Sequence, residues 1–336
     1  MRSPVLDTIL GRAAANPRAT ALLAPGRDPL SCEGLISRTG SIAASLRSLG
    51  LGQDDVVALA LRDNADFTSC FLSVSAVSAC APLNPSLTRD EYRFLLAGLG
   101  AAAMIADDAG ATAADVAAEL GIAVVRARTD PGGPAGSVSL EPPAAVSCER
   151  TRSGAGAVLL LHTSATTGSP KLVPHTRDSL HAGVVQAATA LQLGPQDRFL
   201  SMMPLFHLQG LNSLLAQLYT GGSVVLTNGF DAEAFGGWLA GFRPTWYTAG
   251  PALHRAILEV AGRCPGLLRR APLRFVRSIG APLPVELIEA LERLLPGPVI
   301  EGYGLTETNV VTSNPLPPGR RKPGSVGLSA GPEIML

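Results

Sequence analysis

The chain has 336 residues, 46% of them hydrophobic and 16% charged, which is long enough to bury a large core and too apolar to stay disordered. Lys+Arg and Asp+Glu are equal at 27 each, so no charge excess points to nucleic acid or an anionic membrane as partner. The five cysteines (Cys32, Cys70, Cys80, Cys148, Cys264) show no CxxC spacing and read as reduced thiols of a cytoplasmic protein.

The first ten residues carry Asp7 and no apolar h-region, so they do not form a signal peptide. The most apolar window, Cys70 to Leu83, is too short and too serine-rich to span a bilayer, which takes about 20 residues. In chain order the pattern predicts a helix over 5–16, with Val5, Ile9, Leu10 and Ala13 on one face and Asn16-Pro17 as its stop. A hairpin follows around Pro25-Gly26-Arg27-Asp28, then a helix over 31–49 closed by Gly50-Leu51-Gly52. The run Val56-Val57-Ala58-Leu59-Ala60 has the continuous apolar character of a parallel strand covered on both faces. Helices over 65–79, 89–99 and 111–120 alternate with strands over 101–106 and 122–125, and the proline- and glycine-rich 129–155 reads as loop. A buried strand over 157–161 precedes a helix over 177–193.

The second half repeats the design. Strands are expected over 199–203, 223–226, 246–251, 274–279 and 299–303, with helices over 211–218, 235–240, 252–260 and 284–295 between them. After Gly304 the chain reads as loop through Gly331, and Ile334-Met335-Leu336 as the opening of a buried strand. The alternation implies an α/β protein with two doubly wound, mostly parallel sheets.

Two stretches carry chemistry. In the first, the strand ending at Leu161 runs into His162-Thr163-Ser164-Ala165-Thr166-Thr167-Gly168-Ser169-Pro170-Lys171, a crowd of hydroxyls and small residues followed by one ammonium, the partners that phosphate oxygens need. Ser169-Pro170 separates Gly168 from Lys171, so it is not a Walker A loop; the bland alternative is a Ser/Thr-rich strand-to-helix turn. In the second, Gly302-Tyr303-Gly304-Leu305-Thr306-Glu307 delivers an aromatic face between two glycines, then a hydroxyl and a carboxylate. A Gly-flanked core tyrosine beside an exposed acid is the competing reading. His207 has three candidate roles (core histidine, general base, pocket wall), and neither a His/Cys cluster with metal-ligand spacing nor a Ser-His-Asp order stands out.

The first stretch resembles the phosphate-binding signature of adenylate-forming enzymes, which include acyl- and aryl-CoA synthetases, peptide-synthetase adenylation domains and luciferases. It departs from their Thr-Ser-Gly-Thr-Thr-Gly-x-Pro-Lys-Gly run at Ala165 and Leu172. The second resembles their Gly-Tyr-Gly-x-Thr-Glu signature, and Gly280-Ala281-Pro282 their adenine-lining turn. Thr312-Ser313-Asn314-Pro315-Leu316 resembles the corresponding segment of oxalate- and other small-acid CoA ligases.

The resemblance implies the adenylate-forming N-terminal domain over 1–336, with stacked subdomains 1–190 and 191–325 and a further one beginning at 326–336. It implies that Thr163, Ser164, Thr166, Thr167, Gly168 and Lys171 hold the β- and γ-phosphates of ATP. By the same likeness Tyr303, between Gly302 and Gly304, stacks on adenine, Thr306 contacts the α-phosphate and Glu307 holds Mg²⁺. His207, Trp246, Tyr247, Thr248, Ala249 and Gly250 line the acyl pocket. The implied activity joins a carboxylic acid to the thiol of CoA or of carrier-protein phosphopantetheine through an acyl-adenylate, as in biosynthesis. The family's small C-terminal lid, which bears a catalytic Lys, has no counterpart in these residues, so the chain reads as part of a longer ligase. The rival expectation is a degenerate, non-catalytic module or a starter-acid loading module of a polyketide or peptide assembly line.

Overall fold

Five consecutive apolar residues with no polar alternation can be satisfied only by burial on both faces, and β3 (Val56–Ala60) is buried throughout. In the computed structural model, which describes residues 3–143, 156–163 and 170–335, the chain divides into two compact units, Met1–His181 and Ala182–Leu336.

The first unit opens with α1 (Pro4–Ala15), the hairpin β1 (Thr20–Ala24) and β2 (Arg27–Ser31), and α2 (Cys32–Ser48), which Ser31 caps by accepting from the Gly34 N–H. After β3 come α3 (Asn64–Ser75), β4 (Ala79–Pro82), α4 (Arg89–Leu99), β5 (Ala103–Ala106), α5 (Ala111–Glu119), β6 (Ala123–Thr129), β7 (Val138–Glu141), β8 (Ala157–Thr163) and β9 (Lys171–Thr176). The sheet order is β7-β6-β5-β3-β4-β8-β9; the five inner strands are parallel, and β7 and β9 are antiparallel edges. In α4, Thr88 and Glu91 form a capping box, and Tyr92, Leu95, Leu96 and Leu99 fall at helical spacing on the face that joins the core. Tyr92 donates to the Asn84 carbonyl at 2.6 Å, so the Leu83-Asn84-Pro85 segment is fastened to this helix. Arg27 pairs with Asp66 of α3 at 2.9 Å and donates to the carbonyls of Asp130 and Ser137, tying the first hairpin to the approach to β7.

α6 (Arg177–Ala190) spans the boundary between the units. The second unit continues with β10 (Arg198–Ser201), α7 (Leu208–Tyr219), β11 (Ser223–Leu226), α8 (Phe235–Phe242), β12 (Trp246–Ala249), α9 (Pro251–Arg263), α10 (Leu267–Arg270), β13 (Phe275–Ser278), α11 (Val285–Glu292), β14 (Val299–Leu305), β15 (Asn309–Ser313) and β16 (Leu328–Ser329). Its strands run β16-β15-β14-β13-β12-β10-β11, parallel from β14 to β11, with β15 and β16 antiparallel. The chain leaves β10 for β11 on one side and returns to β12 on the other, so the topology switches direction at β10, the place where open α/β sheets leave a crevice at their carboxyl ends.

Several segments differ from the sequence expectation. β4 and β7 occupy stretches not read as strand, because Ala79-Cys80-Ala81-Pro82 follows closely on a helix and ends in a proline, and β7 is too polar to give a strand signal. After residue 169 the chain enters β9, antiparallel to β8 with Lys171 paired to Thr163, a strand the sequence did not signal. β15 and β16 form where loop was expected, while residues 331–335 form no strand and Met335 is 95% exposed.

The N-terminal ends of three strands meet at one carboxylate. Asp197, whose side chain is fully buried, accepts from Arg274 Nε and Nη2 at 2.9 Å each, from Thr245 Oγ1 at 2.9 Å and from the Gly194 N–H at 2.9 Å. Thr245 Oγ1 in turn accepts from the N–H of Arg198, so the first residue of β10 and the residues preceding β12 and β13 are bound together. Asp197→Ala strands the hydroxyl and the guanidinium. It should cost about 3–5 kcal/mol, read from urea denaturation; a loss under about 1 kcal/mol would show that the carboxylate does not hold these ends.

Candidate active site

Parallel strands place their carboxyl ends on one side of a sheet, and there the second unit gathers most of the expected residues. β13 ends at Ser278 beside Glu301 of β14, and the chain turns out through Gly280, Ala281 and Pro282, all exposed. Gly280 has φ +97°, a left-handed conformation that a side chain would strain. β14 runs on past the end of β13 and pairs with β15 instead, Gly302 opposite Ser313 and Leu305 opposite Asn309. Thr306 and Glu307 therefore sit at the tip of a hairpin, with Thr306 half-buried and Glu307 exposed. The Tyr303 side chain is 44% exposed, so it is not a core tyrosine.

The two glycines beside it have a local cause. A Cβ on Gly304 would lie 2.0 Å from the Asn309 carbonyl oxygen, and one on Gly302 would lie 3.0 Å from that of Thr312. Closure of β15 on β14 therefore requires Gly304 and leaves little room at Gly302, whatever else approaches.

His207 is exposed at the N-cap of α7, beyond the carboxyl end of β10, and Gly250 is half-buried after β12, so both stand at the switch point. The strand residues expected in the acyl pocket divide between two faces. Trp246 stacks on Phe199 and Phe275 with ring centroids at 4.2 and 5.5 Å, and its indole N–H donates to Gln217 of α7 at 2.7 Å. Thr248, on the same face, accepts from Gln209 Nε2 of α7 at 3.2 Å. Tyr247 turns the other way, toward Phe235 of α8 and His254 of α9. Strand alternation thus sends Trp246 and Thr248 to one face of the sheet and Tyr247 to the other, so these expected pocket residues do not share one wall.

In the first unit, Thr163 is half-buried and Lys171 exposed, facing each other across the β8–β9 ladder. Ser164, Thr166, Thr167 and Gly168 lie outside the described residues. Among the described residues no group of three or more His, Cys, Asp or Glu is placed to hold a metal ion.

Two buried groups went unnoticed in the sequence. Arg277, inside β13, is 2% exposed, and burial pushes its guanidinium down to about 10. A basic residue inside a strand-length apolar run was the available signal. His254 of α9 is fully buried beside Tyr247, and burial pushes its imidazole down to about 4.

Residues 11–336 match the AMP-binding enzyme family. The chain belongs to that family. Among its relatives it is 35% identical to the probable CoA ligase CCL9 of Humulus lupulus over 330 residues, covering 94% of this chain and 62% of that protein. It is 35% identical to oxalate–CoA ligase of Arabidopsis thaliana over 315 residues, covering 90% and 60%. ATP-bound MatB from Rhodopseudomonas palustris superposes with a TM-score of 0.82 at 25% identity, over 98% of this chain and 65% of that one. The chain thus spans about 60% of the length of these family members.

A group whose folded-state value is depressed gives stability that is complete above its unfolded value and lost as pH falls through the interval. For His254 that interval runs from 6.5 to about 4, a cost of about 3 kcal/mol. His254→Gln should flatten the decline of thermal stability between pH 6.5 and 4 relative to the wild type; parallel curves would exclude the buried imidazole as its source.

Proposed function

We propose that this chain is the nucleotide- and acid-binding part of an ATP-dependent acid–thiol ligase, which activates a carboxylic acid as its adenylate for transfer to CoA. The observation that carries the reading is the β14–β15 hairpin, with an exposed aromatic ring and a Thr-Glu tip at the carboxyl end of a parallel sheet, in a chain matched by its family from residue 11 to 336. The relatives are named for oxalate, sulfoacetate and long-chain fatty acids, a range too wide to choose the acid. Phosphopantetheine on a carrier protein is the other acceptor of the same chemistry.

A carboxylate resists thiol attack because its oxygen is a poor leaving group. Attack of a carboxylate oxygen on the α-phosphorus of ATP forms one P–O bond and breaks another, releasing pyrophosphate and leaving a mixed anhydride. A thiol then adds to the acyl carbon and AMP departs. For this sequence the protein must position the reactants and offset developing negative charge.

In this reading Tyr303 stacks on the adenine, with Gly280, Ala281 and Pro282 lining it, and Thr306 donates to the α-phosphate. Thr163, Ser164, Thr166, Thr167, Gly168 and Lys171 take the outer phosphates. The residues fit the group they would hold: the ring is exposed and free to stack, the turn is glycine-opened, and Lys171 is exposed. A magnesium ion carried by nucleotide phosphates takes one or two protein carboxylates, and the exposed Glu307 supplies one. When bound, such an ion neutralises phosphate charge. His207 and Gly250 border the acid, and Thr248 reaches it from the α7 face.

ATP–pyrophosphate exchange across a panel of carboxylic acids tests the reading. We expect exchange with at least one acid, reduced about 100-fold or more by Thr306→Val or Glu307→Gln. No exchange with any acid, in the chain alone and in the longest natural polypeptide that contains it, would favour the non-catalytic loading module. ATP hydrolysis indifferent to acid would favour a nucleotidase.

A further inference from the structure

The second unit buries a cation beneath α7 without a counter-charge. Arg277 is fully buried, its Nε and Nη2 have no hydrogen-bond partner, and no carboxylate pairs with it among the described residues. The acid one strand over, Glu301, stands opposite Ser278 and accepts from the Gly324 N–H instead. A buried charge in that position is costly unless something binds it.

The register shows where it reaches. Arg277 is paired with Ile300 in the ladder, yet its Nη2 lies 3.7 Å from the place a Cβ on Gly302 would take. The side chain therefore extends a full pleat toward the carboxyl end of the sheet, to the base of the hairpin that carries Tyr303. Its surroundings on that face are polar. Thr248 is its ladder neighbour on β12, and Ser201 ends β10 on the same face, two residues after Phe199. Gln209, Ser213 and Gln217 recur every fourth residue along α7, and Gln209 and Gln217 bond to Thr248 and Trp246, so this stripe of the helix faces the sheet. The hydroxyls of Ser201 and Ser213 are buried without partners, as Nε and Nη2 of Arg277 are. A fixed cation with unpartnered hydroxyl donors is a site for an anion.

We infer that Arg277 is a specificity-determining residue that receives a second, non-reacting anionic group of the acid, so that the substrate class is a dicarboxylic or sulfo-carboxylic acid and not a simple monoacid. The inference rests on the acid-activating reading. The acid's first carboxylate stays free to meet the nucleotide at the carboxyl ends of β13 and β14, while the second replaces the water that the guanidinium lost on folding.

Calorimetric titration of the 336-residue chain at matched ionic strength tests this, with malonate, succinate and sulfoacetate against acetate and propionate, and with ATP as a separate arm. The wild type should bind at least one dianion tenfold or more tighter than the monoanion of matched length. Arg277→Met should erase the difference and leave ATP affinity within about twofold, while Arg277→Lys keeps part of the preference. Thermal melting of Arg277→Met guards the comparison: a side chain serving a ligand and not the fold leaves the melting temperature unchanged or raised. Equal affinities in the wild type, a preference that survives Arg277→Met, or loss of ATP binding with the preference intact would each overturn the proposal. The two readings fail separately. Dianion binding that depends on Arg277 without pyrophosphate exchange removes the ligase and leaves the site; exchange equally fast with mono- and dianionic acids removes the site and leaves the ligase.

Discussion

The carboxylate of Asp197 fixes the second unit's sheet at its amino end. Through Arg274, Thr245 and the Gly194 N–H it binds the starts of β10, β12 and β13 into one cluster, with no net charge left over between Asp197 and Arg274. The carboxyl ends of the same strands are where His207, Gly250, Gly280 and Tyr303 emerge. The fold thus separates its duties by strand polarity: satisfied charge at the start of the strands, unsatisfied polar groups near their ends.

That division is visible within single strands. β12 begins with Trp246, locked between Phe199 and Phe275 and hydrogen-bonded to Gln217, and two residues on it offers Thr248 to Gln209. β13 begins with Phe275 and two residues later places Arg277. The same face passes from a packed aromatic layer to a polar one within a single pleat. α7 follows the change, with Gln217 over the indole and Gln209 over the threonine.

Much of this architecture was legible from periodicity. The run at Val56–Ala60 and the helical spacing of Tyr92, Leu95, Leu96 and Leu99 need no tertiary information, because burial on two faces or on one stripe dictates each pattern. β4 escaped because it follows closely on α3 and ends in a proline, β7 because half of it is polar, and β15 because its pairing depends on Gly302 and Gly304 of the facing strand more than on its own composition. The site was legible only in part. The Gly-Tyr-Gly run and the Thr-Glu pair stand together in sequence, so the motif could be read locally, although the strand β15 that closes on it could not. Arg277, Ser201, Thr248 and Gln209 lie far apart along the chain, and only the register of three parallel strands and the seat of α7 bring them to one face. Alternation likewise separated Tyr247 from Thr248, which adjacency in sequence had suggested would act together.

The hairpin glycines carry an evolutionary consequence. Gly304 has no room for a side chain beside the main chain of Asn309, so selection for folding alone would retain it in a lineage that had abandoned catalysis as firmly as in one that had not. Tyr303 is different: its exposed ring can be exchanged without opening a hole in the interior. In a decaying descendant the aromatic letter of this motif would vanish first, and its glycines would outlive the activity they once accompanied.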